Sequence, residues 1–338
     1  MKKYIGILLL ALLTGCGTGE KFSEYFEVPP ELKDQAAKQK TYDIYSPYLQ
    51  NIKIFIDPGH GGAERGARGL IMEAEANLRV ALALRDFLKE GGAKVIMSRV
   101  KDTSVNLAER SKLANNSGCD IFISVHHNAA GSRDDKTTNY TSTYYHALET
   151  DYEHNDCNRD MARYIQRDLA FSTRNSGGLG SFDGTYSDYI IYPKAGFSVL
   201  RLTEIPAVLV EVSFIGARLE EQRVANEAYN RIEGWGIFKG LCKYLKAGVP
   251  EIKQAGGDTI SKTGNFIFTL KDASGINEKS IQVKVDSSDI KFSYEQAAKT
   301  ITVNADVVGL GEHEIKITAA NNNGNHNFPF RKKIHVTE

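Results

Sequence analysis

Cysteine is scarce in this chain of 338 residues: four in all, with only Cys119, Cys157 and Cys242 beyond the first sixteen positions. Three is an odd number and no C-x-x-C spacing occurs. That argues against a disulfide framework or a cysteine-built metal knuckle. The three read instead as small buried hydrophobes, with at most one pair among them. An excess of one charge is also missing, since Lys plus Arg and Asp plus Glu both number 42. Without a basic field, nothing points to nucleic acid as a partner. Long internal apolar runs are absent too; none approaches the ~20 residues that span a bilayer. What is present is a chain 41% hydrophobic and 25% charged, ordinary for a globular protein and long enough for two domains plus extensions.

The N-terminus stands apart. Lys2 and Lys3 precede a short apolar run, Ile5 to Leu13, which ends in Leu13-Thr14-Gly15-Cys16. Residues 1–15 therefore read as a secretory signal peptide rather than a structural helix. The small residues before the cysteine resemble a bacterial lipobox. The resemblance implies cleavage before Cys16, lipidation of that residue, and a lipid anchor in the cell envelope. With Gly17 next, the expected site is the outer membrane, facing the periplasm, if the cell is Gram-negative. Residues 16–50, with Pro29-Pro30 and a polar stretch after them, read as a tether with room for one short helix.

From residue 51 the pattern turns α/β. Apolar runs at 52–56, 94–98, 121–126, 143–145 and 207–212 read as strands. Between them, 73–89, 107–115, 158–170 and 227–245 read as helices. Strands alternating with helices indicate a mostly parallel, twisted sheet covered on both faces, spanning residues 51–246. In such sheets, sites lie beyond the carboxyl ends of the strands. Residues 247–257, with Gly248, Pro250 and Gly256-Gly257, read as a linker. Over residues 258–338, apolar residues alternate in short stretches separated by Gly and Asn turns, the pattern of an all-β sandwich. The segments Ala273-Ser274-Gly275-Ile276 and Gly311-Glu312-His313-Glu314-Ile315 resemble bacterial immunoglobulin-like modules. The sandwich offers no clear aromatic platform, which leaves spacer as the default reading.

Four residues at strand ends or helix starts could carry chemistry: His60 in Asp57-Pro58-Gly59-His60-Gly61-Gly62, Glu73, His126 and Glu211. Two histidines and a carboxylate with a fourth position open is a catalytic zinc arrangement, and a further carboxylate can act as general base. Each residue also has a plain alternative. A histidine in a Gly-rich turn is most often a turn residue, and a glutamate at a helix start serves the helix dipole. Glu211 is harder to dismiss, because it sits between Val210 and Val212 and a buried carboxylate demands a partner or a role.

Taken together, four segments resemble the zinc-dependent N-acetylmuramoyl-L-alanine amidases of the Amidase_3 family. They are Asp57 to Gly62, Glu73-x-x-x-Asn77-Leu78, Ser124-Val125-His126-His127-Asn128, and Pro206 to Phe214. They occur in order between Ile52 and Leu245. The resemblance implies one zinc ion held by His60, Glu73 and His126, and Glu211 as the catalytic carboxylate. It implies a hydrolase that cuts the amide between N-acetylmuramic acid and L-alanine of peptidoglycan. Glu73 is preferred to Glu75 for its distance to Asn77, and His126 to His127 for its place after Ser124-Val125. Arg99, Arg110 and Asn128 are expected at the substrate, although bracing a helix end remains open for the arginines. The long helical insertion that blocks the site in many members is absent; Ala129 to Thr143 is a short polar loop, so an open site is expected. Gly177 to Gly196 is long and carries Tyr186, Tyr189 and Tyr192, which suit either a glycan groove or a cover over the core. A zinc peptidase acting on stem peptides and an inactive wall-binding lipoprotein are the competing readings.

Overall fold

The computed structural model describes residues 26–178, 181 and 183–338. The signal-peptide reading and Cys16 lie outside the described residues. In chain order the first region comprises α1 (Pro30–Lys33), α2 (Gln35–Leu49), β1 (Lys53–Pro58), α3 (Glu73–Glu90), β2 (Lys94–Met97), α4 (Leu107–Asn115) and β3 (Ile121–Ala129). It continues with β4 (Ser142–Tyr145), α5 (Asp156–Thr173), β5 (Thr185–Ser187), α6 (Ser198–Arg201), β6 (Ala207–Ile215), α7 (Glu220–Val224) and α8 (Glu227–Lys246).

Six strands form one sheet in the order β2-β1-β3-β6-β4-β5. The first four run parallel. β4 lies antiparallel to β6 and β5 parallel to β4, so the sheet is mixed at one edge. Alternation sorts the strand residues. Ile54, Ile56, Ile121, Ile123, Val125, Val208, Val210 and Val212 face a core closed by α2, α3, α5 and α8. Phe55, Phe122, Tyr144 and Leu209 face the other side, under α4 and α6. Close packing of α8 on α5 depends on glycine. A Cβ at Gly240 would lie 2.5 Å from Cα of Ile165, and one at Gly236 2.8 Å from Cα of Leu169.

The stretch read as a tether is not one over residues 30–49. Asp34 caps α2 by accepting from the Ala37 N–H at 2.7 Å. Buried Tyr42 then meets Trp235 and Phe238 edge-on, and Leu49 is fully buried. The low apolar content of this stretch hid a helix that buries only Thr41, Tyr42 and Leu49.

The second region is all β. β7 (Glu251–Ala255), β9 (Asn265–Lys271), β12 (Ser293–Glu295) and β13 (Thr300–Asn304) form one sheet. β8 (Thr259–Ser261), β10 (Gln282–Val285), β11 (Ser288–Asp289), β14 (Gly311–Thr318) and β15 (Phe330–Thr337) form the other. One apolar cluster that includes Phe266, Phe268, Ile301, Ile315 and Ile334 fills the space between them. Residues 251–255, expected within the linker, are strand β7 paired with β9, because Ile252 packs on that cluster. The two regions are tied by hydrogen bonds. Asn321 and Asn323 donate to the Ala247 carbonyl, Asn325 to those of Tyr244 and Gly248, and Lys316 to those of Tyr152 and His154.

Candidate metal centre and active site

The site forms where β1, β3 and β6 end. Asp57, at the last turn of β1, is fully buried and accepts from Ser98, Ser124 and Arg110 at 2.6, 2.9 and 2.6 Å. This anchors the start of a sharp turn in which His60 adopts a left-handed backbone, φ 59°. Glu73 opens α3, where the helix N-terminus favours a carboxylate. His126 lies on β3, with its side chain on the face opposite Val125 and His127. Glu211 on β6 is in direct register with His126, and the pairing slips between His126 and Asn128 as a bulge.

The donor atoms of His60, Glu73 and His126 lie within 4.8 Å of one another, the one such group among the described residues. Oε1 of Glu73 is 2.9 Å from Nε2 of His60 and 3.2 Å from Nδ1 of His126. Its other oxygen accepts from the Ala67 N–H at 2.8 Å, leaving Oε1 for the cluster. Burial pushes the Glu73 carboxyl up, but hydrogen bonds and charge from His126 and His60 outweigh it and hold it well below the usual range. Burial likewise lowers His60, and Glu73 and Glu64 together raise it to about 8. Burial, then the charge of Glu73, pushes Glu211 up to about 8, with His60 opposing. Oε2 of Glu211 is buried and has no hydrogen-bond partner among the described residues.

A second layer supports the first. Asn77, one turn after Glu73, donates to Oε1 of Glu73 and to the Gly59 carbonyl, both at 3.3 Å. Its oxygen meets Nδ1 of His127 at 2.8 Å, and Nε2 of His127 lies 3.4 Å from buried Glu233. His127 is thus a support for the site rather than a ligand, and Glu75 pairs with Arg79 in solvent. The motif spacing showed Asn77 beside Glu73, but nothing local in the sequence marked Glu233, 22 residues beyond Glu211.

Arg99 and Arg110 direct most of their guanidinium donors into the protein itself, and Arg110 also borders a cleft beside the ligand cluster. Both are 3% exposed. Arg99 donates to the carbonyls of Pro58, Gly59, Ala74 and Lys101. Arg110 pairs with Asp57 and donates to the carbonyls of Val105, Pro58 and His60. They clamp the turn that carries His60, because a planar guanidinium can satisfy several carbonyls of one loop. Asn128 is partly exposed at the end of β3, its oxygen accepting from the Ala129 N–H. A cleft of about 540 Å³ opens beside the ligand cluster, with Ser104, Leu107 and Val199 in its wall. Residues 130–141 form a loop without helix and do not border the cleft. The tyrosines of the long loop lie elsewhere: β5 places Tyr186 against Tyr144, and Tyr189 stacks edge-on against His146, at the end of β4 remote from Glu211. Tyr186 and Tyr189 border a separate pocket with Ile190 and Lys194, away from the ligand cluster.

Among the described residues, no helix is long and apolar enough to cross a membrane. Comparison with known proteins agrees with the site. The profile of the Amidase_3 family, N-acetylmuramoyl-L-alanine amidase, matches residues 54–243, more than half of the chain. The germination-specific N-acetylmuramoyl-L-alanine amidase of Bacillus subtilis is 30% identical over 228 residues, covering 63% of this chain and 88% of that protein. An N-acetylmuramoyl-L-alanine amidase from Clostridium difficile 630 superposes with a TM-score of 0.50 at 30% identity, over 58% of this chain and 97% of that structure. The amidase Ami1 of Mycobacterium smegmatis shares the fold with a TM-score of 0.51 at 18% identity, over 59% of this chain and 99% of that structure. On the extent of the profile match and the coverage of these relatives, the chain belongs to the Amidase_3 family of N-acetylmuramoyl-L-alanine amidases.

Proposed function

We propose that this protein is a zinc-dependent peptidoglycan hydrolase that cuts the amide joining the lactyl group of N-acetylmuramic acid to L-alanine. The observation that carries the reading is the convergence of two imidazoles and one carboxylate within 4.8 Å, with Glu211 in register beside His126. Nitrogen and oxygen donors of this kind suit zinc, and three protein ligands leave a position open, as catalytic rather than structural sites do. Oε2 of Glu211, next to that cluster and without a hydrogen-bond partner among the described residues, fits a group that handles a proton. His60, Glu73 and His126 would hold the ion. Zinc in such a site supplies Lewis acidity that makes water a nucleophile at neutral pH.

Glu211 accepts the proton of the attacking water as the new C–O bond forms at the lactyl carbonyl. It returns that proton to the alanine nitrogen as the C–N bond breaks, so one carboxyl serves as base and then acid. Asn77 and the Ala67 N–H keep Glu73 aimed at the cluster throughout. Asn128, partly exposed near the end of β3, is read as a substrate contact. The test is digestion of purified muropeptides followed by mass spectrometry, with and without a chelator. Free stem peptides and intact lactyl-bearing sugars, lost on chelation and regained with zinc, are expected. Cleavage within the stem peptide would replace the amidase with a peptidase.

The same reading places the chain at the cell envelope through a lipid on Cys16. Phe26 packs on Tyr229 with ring centroids 5.2 Å apart, and Val28 and Leu32 join a cluster that includes Ile215, at the site end of β6. Ten residues from Cys16 to Phe26 reach at most ~35 Å, which keeps the cleft close to the membrane. Fatty-acid labelling that disappears in Cys16→Ser tests the anchor. The C-terminal sandwich is read as an immunoglobulin-like spacer, supported by its two sheets around one core.

A further inference from the structure

Glu64 is largely exposed, with 69% of its side chain in solvent, yet its carboxylate rests on Nδ1 of His60. The opposite ring atom, Nε2, faces Glu73 inside the ligand cluster. The turn itself makes this contact. The N–H of Gly61 donates to the Glu64 carbonyl at 2.7 Å, and the Glu64 N–H to the Gly61 carbonyl at 3.3 Å, bringing residue 64 back beside residue 60. The neighbouring cation, Arg65, is engaged by Asp102 at 2.8 Å, and Asp102 also accepts from the Gly62 N–H at 2.7 Å. The Glu64 carboxylate is therefore directed at the imidazole. A neutral imidazole carries one N–H, and the acceptor at one nitrogen decides which lone pair is left for a cation at the other. A carboxylate in that role also raises the basicity of the ligand nitrogen.

We propose that Glu64 is a positioning residue of the metal centre: its carboxylate holds His60 as the Nδ1–H tautomer and presents Nε2 to the ion. This rests on the zinc reading above. A different role is conceivable on geometry alone, because Glu64 also borders the cleft and could touch substrate. The experiment compares the full chain with Glu64→Ala and Glu64→Gln. Zinc affinity is measured by chelator competition, the His60 tautomer by nitrogen NMR of the zinc-loaded protein, and KM separately. Since the side chain is exposed, all three proteins should melt alike without metal. The Ala variant should bind zinc 10–100-fold more weakly, with a mixed tautomer at His60. The Gln variant, which keeps an acceptor oxygen, should recover part of the affinity and the tautomer. Unchanged zinc affinity with a raised KM would transfer Glu64 to substrate binding and overturn the proposal. Equal losses in both variants would mean that charge alone matters and would overturn the tautomer assignment. If the unaltered chain binds no zinc, the metal reading falls, and this proposal with it.

Discussion

Glu211 sits between two buried valines, shares a strand pair with a metal-ligand candidate, and leaves one oxygen without a partner among the described residues. Glu211→Gln keeps the shape and removes the base. Turnover should fall by roughly 10²–10⁴-fold, the usual worth of general acid–base catalysis, while zinc content by elemental analysis stays near one per chain. The sign of the pH dependence follows from the base role. Activity requires the ionised carboxylate, so kcat/KM falls as pH drops through the Glu211 pKa. That value is pushed up to about 8 by burial and by Glu73, and a bound dication draws it down. The acid limb should therefore fall below about 8. Gly59 tests the site from the backbone. A Cβ there would sit 2.2 Å from the His126 ring, so Gly59→Ala should displace that ligand and weaken zinc binding at least tenfold by chelator competition. Arg110→Ala separates two roles that the sequence left open. Removing it strands the buried Asp57 carboxylate, and chemical denaturation should show a loss of about 3–5 kcal/mol, in place of a selective rise in KM.

At the scale of elements, the helix α2 is a part of the catalytic domain. Tyr42 meets Trp235 and Phe238 and donates to Glu90 at 2.9 Å. Tyr42→Ala should cost about 3 kcal/mol, the lower end for deleting a buried aromatic ring, read from urea unfolding. The periodic elements were legible: 107–115 and 227–245 match α4 and α8 to within a residue, because their apolar residues recur at helical spacing. The direction of β4 was not legible. Its four residues are all buried, so no alternation marks a face, and strand polarity is a matter of connection and partner. Helix α2 escaped for a related reason: Thr41, Tyr42 and Leu49 are its only buried positions, too few for a visible stripe.

For the whole molecule, the joint between the two regions is polar and dense. The ring of Tyr152 lies under Lys316 and Arg331, and its hydroxyl donates to Glu314 at 2.6 Å. Nδ1 of His326 donates to the Asp160 carboxylate at 2.8 Å. These contacts predict a single calorimetric unfolding transition for the full chain, split into two by Tyr152→Ala. The joint is also pH-sensitive in a defined direction. Burial lowers His326, but the hydrogen bond and charge of Asp160 raise it overall. That stabilisation is present below the unfolded histidine value and fades as pH climbs through the folded one.

The sequence, through its resemblance to the family, singled out His60, Glu73 and His126, which the fold brings together, and Glu211 in register beside them; most strands and helices of residues 51–246 were legible as well. Motifs with internal spacing such as Glu73-x-x-x-Asn77 act locally, through one turn of helix, and so survive in the linear pattern. Tertiary structure alone decided what the two arginines do. Arg99 and Arg110 sit within a family-like stretch, and only the folding of residues 57–60 against them showed that both donate to the loop that carries His60. The same holds for Glu233, whose carboxylate reaches His127 from a helix more than a hundred residues away. A hydrogen bond between distant segments leaves no periodicity in the chain, because each partner's position is set by the packing of the elements that carry it.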